Sequence, residues 1–270
     1  MTLALLVNGV APADPSHAIA VDDRGLQYGD GVFESALLID GRVRFLDAHL
    51  DRLFRGCECL GIAAPERQEL LDEITQVSSA ANRGVLKIIV SRGAADRGYR
   101  PPAGATATRI VALYPLQETL QHSLKLRWCE TRLGRNARLA GIKHLNRLEQ
   151  VLAQSEWREG EFDEGLMMDT EGELVCATAG NVFAVRDGAL ITPDLRFCGV
   201  QGVMRAQVLA AAAKLRIGVS EEPLWPQDLD AASEIFITNA VRGIRTATSL
   251  DSLQWSDSTV ATRLGRALGL

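Results

Sequence analysis

The chain has little lysine. Lysine and arginine together number 29, and Lys87, Lys125, Lys143 and Lys214 are the only lysines, which leaves 25 arginines. Each retained lysine therefore calls for a reason. Positive charge is also in deficit: the net charge is −5, which argues against a nucleic-acid-binding footprint. No apolar run reaches the roughly 20 residues that a membrane-spanning helix needs. The opening MTLALLVNG has no basic leader and is too short for a signal peptide, so it reads as a strand. Cysteine is sparse and scattered, at Cys57, Cys59, Cys129, Cys176 and Cys198, with no CxxC pair. That pattern points to reduced thiols in a cytoplasmic protein, and away from disulfides or zinc. Four histidines form neither HxxxH nor HExxH, so no metal site is expected.

What is present fits a soluble globular chain. At 270 residues and 47% hydrophobic, it can bury a full core as one large or two small domains. An N-terminal α/β domain is expected over 1–115, a polar linker over 116–122, and a larger C-terminal α/β domain over 123–270. In the first, Val32–Ile39, a turn at Asp40-Gly41 and Arg42–Phe45 read as a hairpin. Asp47 is placed to cap a helix whose inner face is Leu50, Leu53, Phe54, Cys57 and Leu60, ended by Gly61. Arg52 lies off that stripe, either as a solvated charge or as a clamp for phosphate. Val85–Ser91 is nearly all apolar, as in a central strand. It runs into a loop with Arg92, Arg97, Tyr99 and Arg100, which reads equally as a solvated turn or an anion trap.

In the second domain, short strands alternate with turns up to Thr192, and Ile217–Val219 is read as a further strand. Gly199 and Gly202 precede an Ala-rich helix starting near Val203. Helix N-termini bind phosphate through open N–H groups, although a Gly-x-x-Gly turn is also common. Thr238 and Asn239 close a strand, Glu234–Thr238, that ends where the same phosphate could sit. Lys143 stands just ahead of LNRLEQVLAQ, in which Leu145, Leu148 and Leu152 have the spacing of one buried helix face. A lysine packed against such a helix is either a solvated surface charge or a desolvated amine, which is a candidate nucleophile for a Schiff base.

Six segments in order carry a resemblance. They are Tyr28-Gly29-Asp30-Gly31-Val32-Phe33-Glu34, His49-Leu50-Asp51-Arg52-Leu53, the arginine loop, Lys143 before LNRLEQVL, Asn181-Val182-Phe183, and Gly202-Val203-Met204-Arg205. Together they resemble the fold-type IV pyridoxal-phosphate enzymes, which include branched-chain and D-amino acid aminotransferases and aminodeoxychorismate lyases. GIKHLNRLEQVLA, with Ser91-Arg92-Gly93 and Arg97-Gly98-Tyr99, is similar to the lyases in particular.

The resemblance implies a two-domain α/β (α+β) homodimer with pyridoxal 5'-phosphate at the domain interface and Lys143, in the C-terminal domain, as its covalent anchor. It implies phosphate contacts from Arg52, Gly202, Val203, Met204, Thr238 and Asn239. Arg97 and Tyr99 would meet a substrate carboxylate, and Ser35 would lie near the reacting centre. The implied reaction converts 4-amino-4-deoxychorismate to 4-aminobenzoate and pyruvate, with a branched-chain or D-amino acid aminotransferase as the alternative. A non-catalytic binding protein with the same fold is the reading from another class. Five residues before Asn181, where many relatives of this type carry a glutamate against the pyridine nitrogen, this chain has Cys176. A thiol cannot hold that nitrogen protonated as a carboxylate does, and a lyase driven by aromatisation is expected to tolerate this better than a transaminase.

Overall fold

The computed structural model describes residues 2–117 and 123–270. The chain divides into two compact units, one of residues 2–117 with Ile142–Asn146, the other of residues 123–141 with Arg147–Leu270. Of the expected linker, residues 118–122 lie outside the described residues. The segment carrying Lys143, expected in the C-terminal domain, packs with the first unit. Its backbone finds its hydrogen-bond partners there, on the edge of a strand, as described below.

The first unit contains β1 (Ala4–Val7), α1 (Arg24–Tyr28), β2 (Gly31–Ile39), β3 (Arg42–Val43), α2 (Leu46–Leu60), α3 (Arg67–Ser78), β4 (Gly84–Ser91) and β5 (Thr108–Tyr114). The sheet order is β1-β5-β4-β2-β3, antiparallel throughout, and the apolar β4 is central as its composition predicts. Side chains alternate across the pleat. Ala36 and Leu38 of β2 and Leu86, Ile88 and Val90 of β4 join Leu50, Leu53 and Cys57 of α2 and Leu70, Ile74 and Val77 of α3 in one core. By the same alternation, Phe33, Ser35 and Lys87 share the other face of the sheet, and register sets Ser35 directly opposite Lys87.

The start of α2 differs from expectation. Asp47 does not cap it; the helix begins from Phe45, in a left-handed conformation (φ 56°) with no side-chain cap. The hairpin's return strand lasts two residues, so the chain turns into the helix early and Asp47 falls inside the first turn. There its carboxylate accepts from Arg67 at 2.7 Å and complements the helix dipole.

The second unit contains β6 (Ser123–Trp128), α4 (Leu148–Gln154), β7 (Glu164–Met168), β8 (Leu174–Ala177), β9 (Asn181–Arg186), β10 (Ala189–Thr192), α5 (Val203–Lys214), β11 (Val219–Glu221), β12 (Glu234–Asn239), β13 (Gly243–Leu250), β14 (Leu253–Gln254) and α6 (Thr259–Ala267). Nine strands form one curled sheet in the order β11-β10-β9-β12-β13-β6-β7-β8, with β14 paired to β13. Phe183 and Phe236 stack at 5.0 Å and pack with Val208 and Ala212 of α5 and Leu264 of α6.

Ile217, expected to begin a strand, instead closes α5. Arg216 is left-handed (φ 55°), and the N–H of Ile217 reaches the carbonyl of Ala212 at 2.9 Å, as in a Schellman motif. The strand follows two residues later. The Lys143 region also differs. The helix spans only Leu148–Gln154, and Leu148 and Leu152 are 76% and 59% exposed, so the face read as buried is an outward one. The face that α4 buries carries Ala153.

Candidate active site

In the first unit the site is built on the start of β2. Gly29 ends α1 in the left-handed region (φ 64°), and a Cβ there would strike the side chain of Asn146. Asn146 uses that space to donate from Nδ2 to the Gly29 carbonyl at 3.1 Å. Leu145 N–H donates to the Gly31 carbonyl, and Phe33 N–H to the Lys143 carbonyl, each at 2.9 Å. Residues 143–145 are thus a short extended segment, with His144 bridged antiparallel to Val32. This explains why Lys143 is not at a helix start. It also sets Lys143 across from Phe33, with Nζ 4.3 Å from the centre of the ring. Lys87 Nζ lies 4.5 Å from the same centre.

On the opposite face of β2, Glu34 points into the core and meets α2. Arg52 donates from Nε and Nη2 to the two Glu34 oxygens at 2.7 and 2.5 Å, and His49 Nδ1 lies 2.6 Å from Oε2. All three side chains are buried, Arg52 at 6% exposure. Burial pushes the Glu34 carboxyl up, but the hydrogen bonds and charges of Arg52 and His49 outweigh it and hold the group below its usual value. The solvated reading of Arg52 is therefore wrong. The fork is oriented by a bidentate pair with the Glu34 carboxylate.

The arginine loop separates into two roles. Arg92 is buried: it pairs with Asp30 at 2.7 and 3.0 Å and donates to the carbonyls of Gly61 and Leu60. Arg24, which the sequence reading passed over, also holds Asp30 at 2.8 Å and donates to the Gly98 carbonyl at 2.7 Å. Tyr28 Oη accepts from Gly98 N–H, and its ring meets Tyr99 edge-on at 5.5 Å. These bonds tie the loop to α1, while Arg97 and Arg100 stay exposed and Tyr99 is 87% exposed.

In the second unit three segments converge on the start of α5. Gly202 is its N-cap, and no side chain caps the N-terminus formed by Val203 and Met204. A Cβ on Gly202 would collide with Asn181 Oδ1, so glycine lets the loop close on β9, where Asn181 Nδ2 donates to the Val200 carbonyl at 2.8 Å. Thr238 sits opposite Asn181 in the β9–β12 register. It is 1% exposed, and its Oγ1 has no hydrogen-bond partner among the described residues. Asn239 is occupied differently: its side chain accepts from the N–H groups of Val241 and Arg242 and donates to the Ala179 carbonyl. It shapes the turn and leaves Thr238 as the open polar group.

Cys176 lies on β8 opposite Met167, buried among Cys198, Leu195 and Cys129. Burial pushes its thiol up to about 12, so it is neutral at working pH. Two charged groups that sequence reasoning did not single out lie in its neighbourhood. Arg147, pulled below its ordinary value by burial, is within electrostatic reach of the thiol. Glu164, also buried, accepts from Gly165 N–H at 3.1 Å and from Thr178 Oγ1, which in turn accepts from Gln154. Burial raises the Glu164 carboxyl despite those bonds. No spacing rule marks Lys87, Glu164 or His49; the face alternation of their strands and helix is the signal that finds them.

Residues 31–250 match the amino-transferase class IV family. An aminodeoxychorismate lyase from Vibrio harveyi is 32% identical over 242 residues, covering 88% of each chain. A putative branched-chain-amino-acid aminotransferase from Methanocaldococcus jannaschii is 31% identical over 247 residues, covering 90% of this chain and 86% of the other. Among solved structures, the 4-amino-4-deoxychorismate lyase from Pseudomonas aeruginosa has a TM-score of 0.92 at 39% identity, covering 98% of this chain and 97% of that one.

Proposed function

The chain belongs to the amino-transferase class IV family, whose members depend on pyridoxal phosphate, and we propose that within it this protein is an aminodeoxychorismate lyase. The observation that carries the reading is Lys143, an amine presented from an extended segment onto the sheet face that also bears Phe33 and Ser35. Likeness to lyases at 32% and 39% identity, over 88% and 98% of the chain, supports the choice of reaction.

The residues present fit the cofactor. A buried hydroxyl at Thr238 with no partner among the described residues suits a phosphate, as do an uncapped helix N-terminus and a guanidinium aligned by Glu34. Arg52, Thr238 Oγ1 and the N–H groups of Val203 and Met204 would hold the phosphate, with Gly202 and Asn239 shaping the cradle. Lys143 would hold the cofactor covalently. When bound, the cofactor supplies an electron sink at the amine-bearing carbon. The Lys143 amine takes the ring proton from that carbon. The electron pair enters the ring, the carbon–oxygen bond to the enolpyruvyl group breaks, and the leaving enolate takes a proton to become pyruvate. Arg97 and Tyr99 take a substrate carboxylate and Ser35 positions the reacting carbon. Cys176, a neutral thiol, would offer a bound cofactor no anionic partner for its ring nitrogen, a loss that aromatisation of the product would offset.

The test is to supply 4-amino-4-deoxychorismate alone. Equal amounts of 4-aminobenzoate and pyruvate without any added keto acid are expected. The second reading, an aminotransferase, draws on the 31% likeness to the Methanocaldococcus protein and requires a keto acid for any turnover. We also assign a homodimer, supported by the outward apolar stripe Leu148, Val151 and Leu152 of α4. A cytoplasmic location is supported by five free cysteines.

A further inference from the structure

Arg24 is assigned no part in the reaction, yet it grips the backbone between two residues that are. It stands at the first position of α1 and is 3% exposed. Its Nε donates to Asp30 at 2.8 Å, Nη1 to the Gly98 carbonyl at 2.7 Å and Nη2 to the Tyr99 carbonyl at 3.2 Å. The guanidinium also lies over the Tyr28 ring, 4.8 Å from its centre. Tyr28 Oη in turn accepts from the Gly98 N–H at 3.1 Å. Both peptide groups of Gly98 are therefore held from α1, the N–H by Tyr28 and the carbonyl by Arg24.

The held backbone separates the side chains of Arg97 and Tyr99. Residues 92–107 contain no helix or strand, and a loop of this length loses much conformational entropy when fixed in one shape. Arg97, Gly98, Tyr99 and Arg100 are all exposed, so little packing fixes them. Gly98 has φ 119°, which a side chain disfavours, although a Cβ there would meet nothing within 4 Å. Backbone conformation, and not space, calls for glycine, and it is the conformation in which α1 holds both peptide groups. An ammonium could not replace Arg24, because only a guanidinium fork spans two neighbouring carbonyls and a carboxylate at once. Asp30 also takes Arg92 at 2.7 and 3.0 Å, so two guanidiniums share one carboxylate and a net positive charge stays with the cluster.

We infer that Arg24 is a positioning residue for the substrate, fixing the Gly98 and Tyr99 carbonyls so that Arg97 and Tyr99 present their polar ends together to one carboxylate. The inference rests on the lyase reading, in which those two side chains take a carboxylate of the substrate. Arg24 acts through the loop backbone and not by contact.

The experiment compares holoenzymes carrying Arg24→Lys, which keeps the charge and loses the fork, and Gly98→Ala, which disturbs the same peptide groups from the exposed side. Gly98→Ala leaves the buried cluster intact and carries the test if Arg24→Lys does not fold. Tryptic cleavage after Arg97 reads loop order without substrate. Losing one hydrogen bond to a charged group corresponds to roughly 10- to 150-fold, so cleavage is expected to quicken at least about tenfold in both variants. In turnover, KM for aminodeoxychorismate is expected to rise at least about tenfold with kcat within about threefold. Cofactor absorbance stays at the wild-type value. In a chain already carrying Arg97→Met and Tyr99→Phe, adding Arg24→Lys is expected to raise KM less than about twofold, because the contacts it positions are gone. Wild-type KM in either variant overturns the inference, and a lowered melting temperature beside it would assign the cluster to stability alone. A fall in kcat without a rise in KM overturns it too, as does an Arg24→Lys effect that adds in full to the loss of Arg97 and Tyr99. Failure of the lyase reading is seen elsewhere, in a wild-type protein that forms no aminobenzoate from the same substrate.

Discussion

Breaking the Glu34–Arg52 pair is the sharpest test of how the first unit holds Arg52. The perturbation is Glu34→Gln, which keeps the shape and removes the charge. In the wild type both Glu34 oxygens are taken by Arg52 and a third bond comes from His49, all at 2.5–2.7 Å and all buried. Removing one member of such a pair leaves a buried guanidinium without its counter-charge, which costs about 3–5 kcal/mol. Glutamine still accepts one of the three bonds, so about 3 kcal/mol is expected in denaturant unfolding of the apoprotein. Arg52→Met alone strands the carboxylate and should cost a similar amount. The double variant Glu34→Gln with Arg52→Met removes both charges and should be far less destabilised than the sum, with a coupling of at least about 2 kcal/mol. Added inorganic phosphate should raise the melting temperature of Glu34→Gln more than that of wild type, because an anion can replace the lost charge at Arg52. Additive single-variant costs, or a phosphate response no larger than wild type, would refute the argument that Glu34 is what orients and neutralises Arg52.

Other consequences are open to measurement. Thr238→Val removes a buried hydroxyl with no partner among the described residues, so the apoprotein should be unchanged or about 1 kcal/mol more stable while cofactor affinity falls about tenfold. A destabilised apoprotein would show that the hydroxyl has an internal role instead. Glu164 has a raised pKa in the folded chain, so its contribution is fully present below the unfolded carboxylate value and is lost as pH rises through the folded one. Glu164→Gln should therefore flatten the stability–pH curve above about pH 4.5, and unfolding curves at pH 4.5 and 7 that keep the wild-type difference would count against it. Val151→Glu on α4 should leave the fold intact by circular dichroism and shift the proposed homodimer to monomer in sedimentation. A wild-type monomer would end the dimer assignment.

Much of the fold is legible in local chemistry. The Asp40-Gly41 and Asp187-Gly188 turns take the paired positive φ values (50° and 72°, 53° and 76°) that an aspartate–glycine hairpin signals. The apolar run at Val85 gives the central strand, and the glycines at 199 and 202 correctly place the start of α5 at Val203. The errors fall where tertiary hydrogen bonding competes with periodicity. Leu145, Leu148 and Leu152 have helical spacing, yet Leu145 donates to Gly31 as an extended residue and the other two face outward. A three-point pattern is satisfied by that arrangement as well as by a buried face, because spacing carries no information about which element supplies the partner.

The candidate site divides in the same way. Groups that act through their own backbone turn, such as Gly29, Gly202 and Asn239, leave a trace in sequence because glycine and asparagine are selected by conformation. Groups that act through strand register do not. Glu34 and Ser35 are adjacent, yet one enters the core to fix Arg52 and the other faces Lys87. The same pleat splits Lys87 from Leu86 and Ile88, so a run that reads as uniformly buried holds one residue on the opposite face. Pairing Val32 with His144 then brings Lys143 across from Phe33. Two antiparallel registers, one local to β2–β4 and one joining residues more than 100 positions apart, are what gather both amines on a single ring. Since a one-residue slip in either register would reverse the faces, the cross-strand placement of Lys87 follows from the core packing of Leu86 and Ile88. The hydrophobic core of the first unit thereby determines which lysines share the face of Phe33.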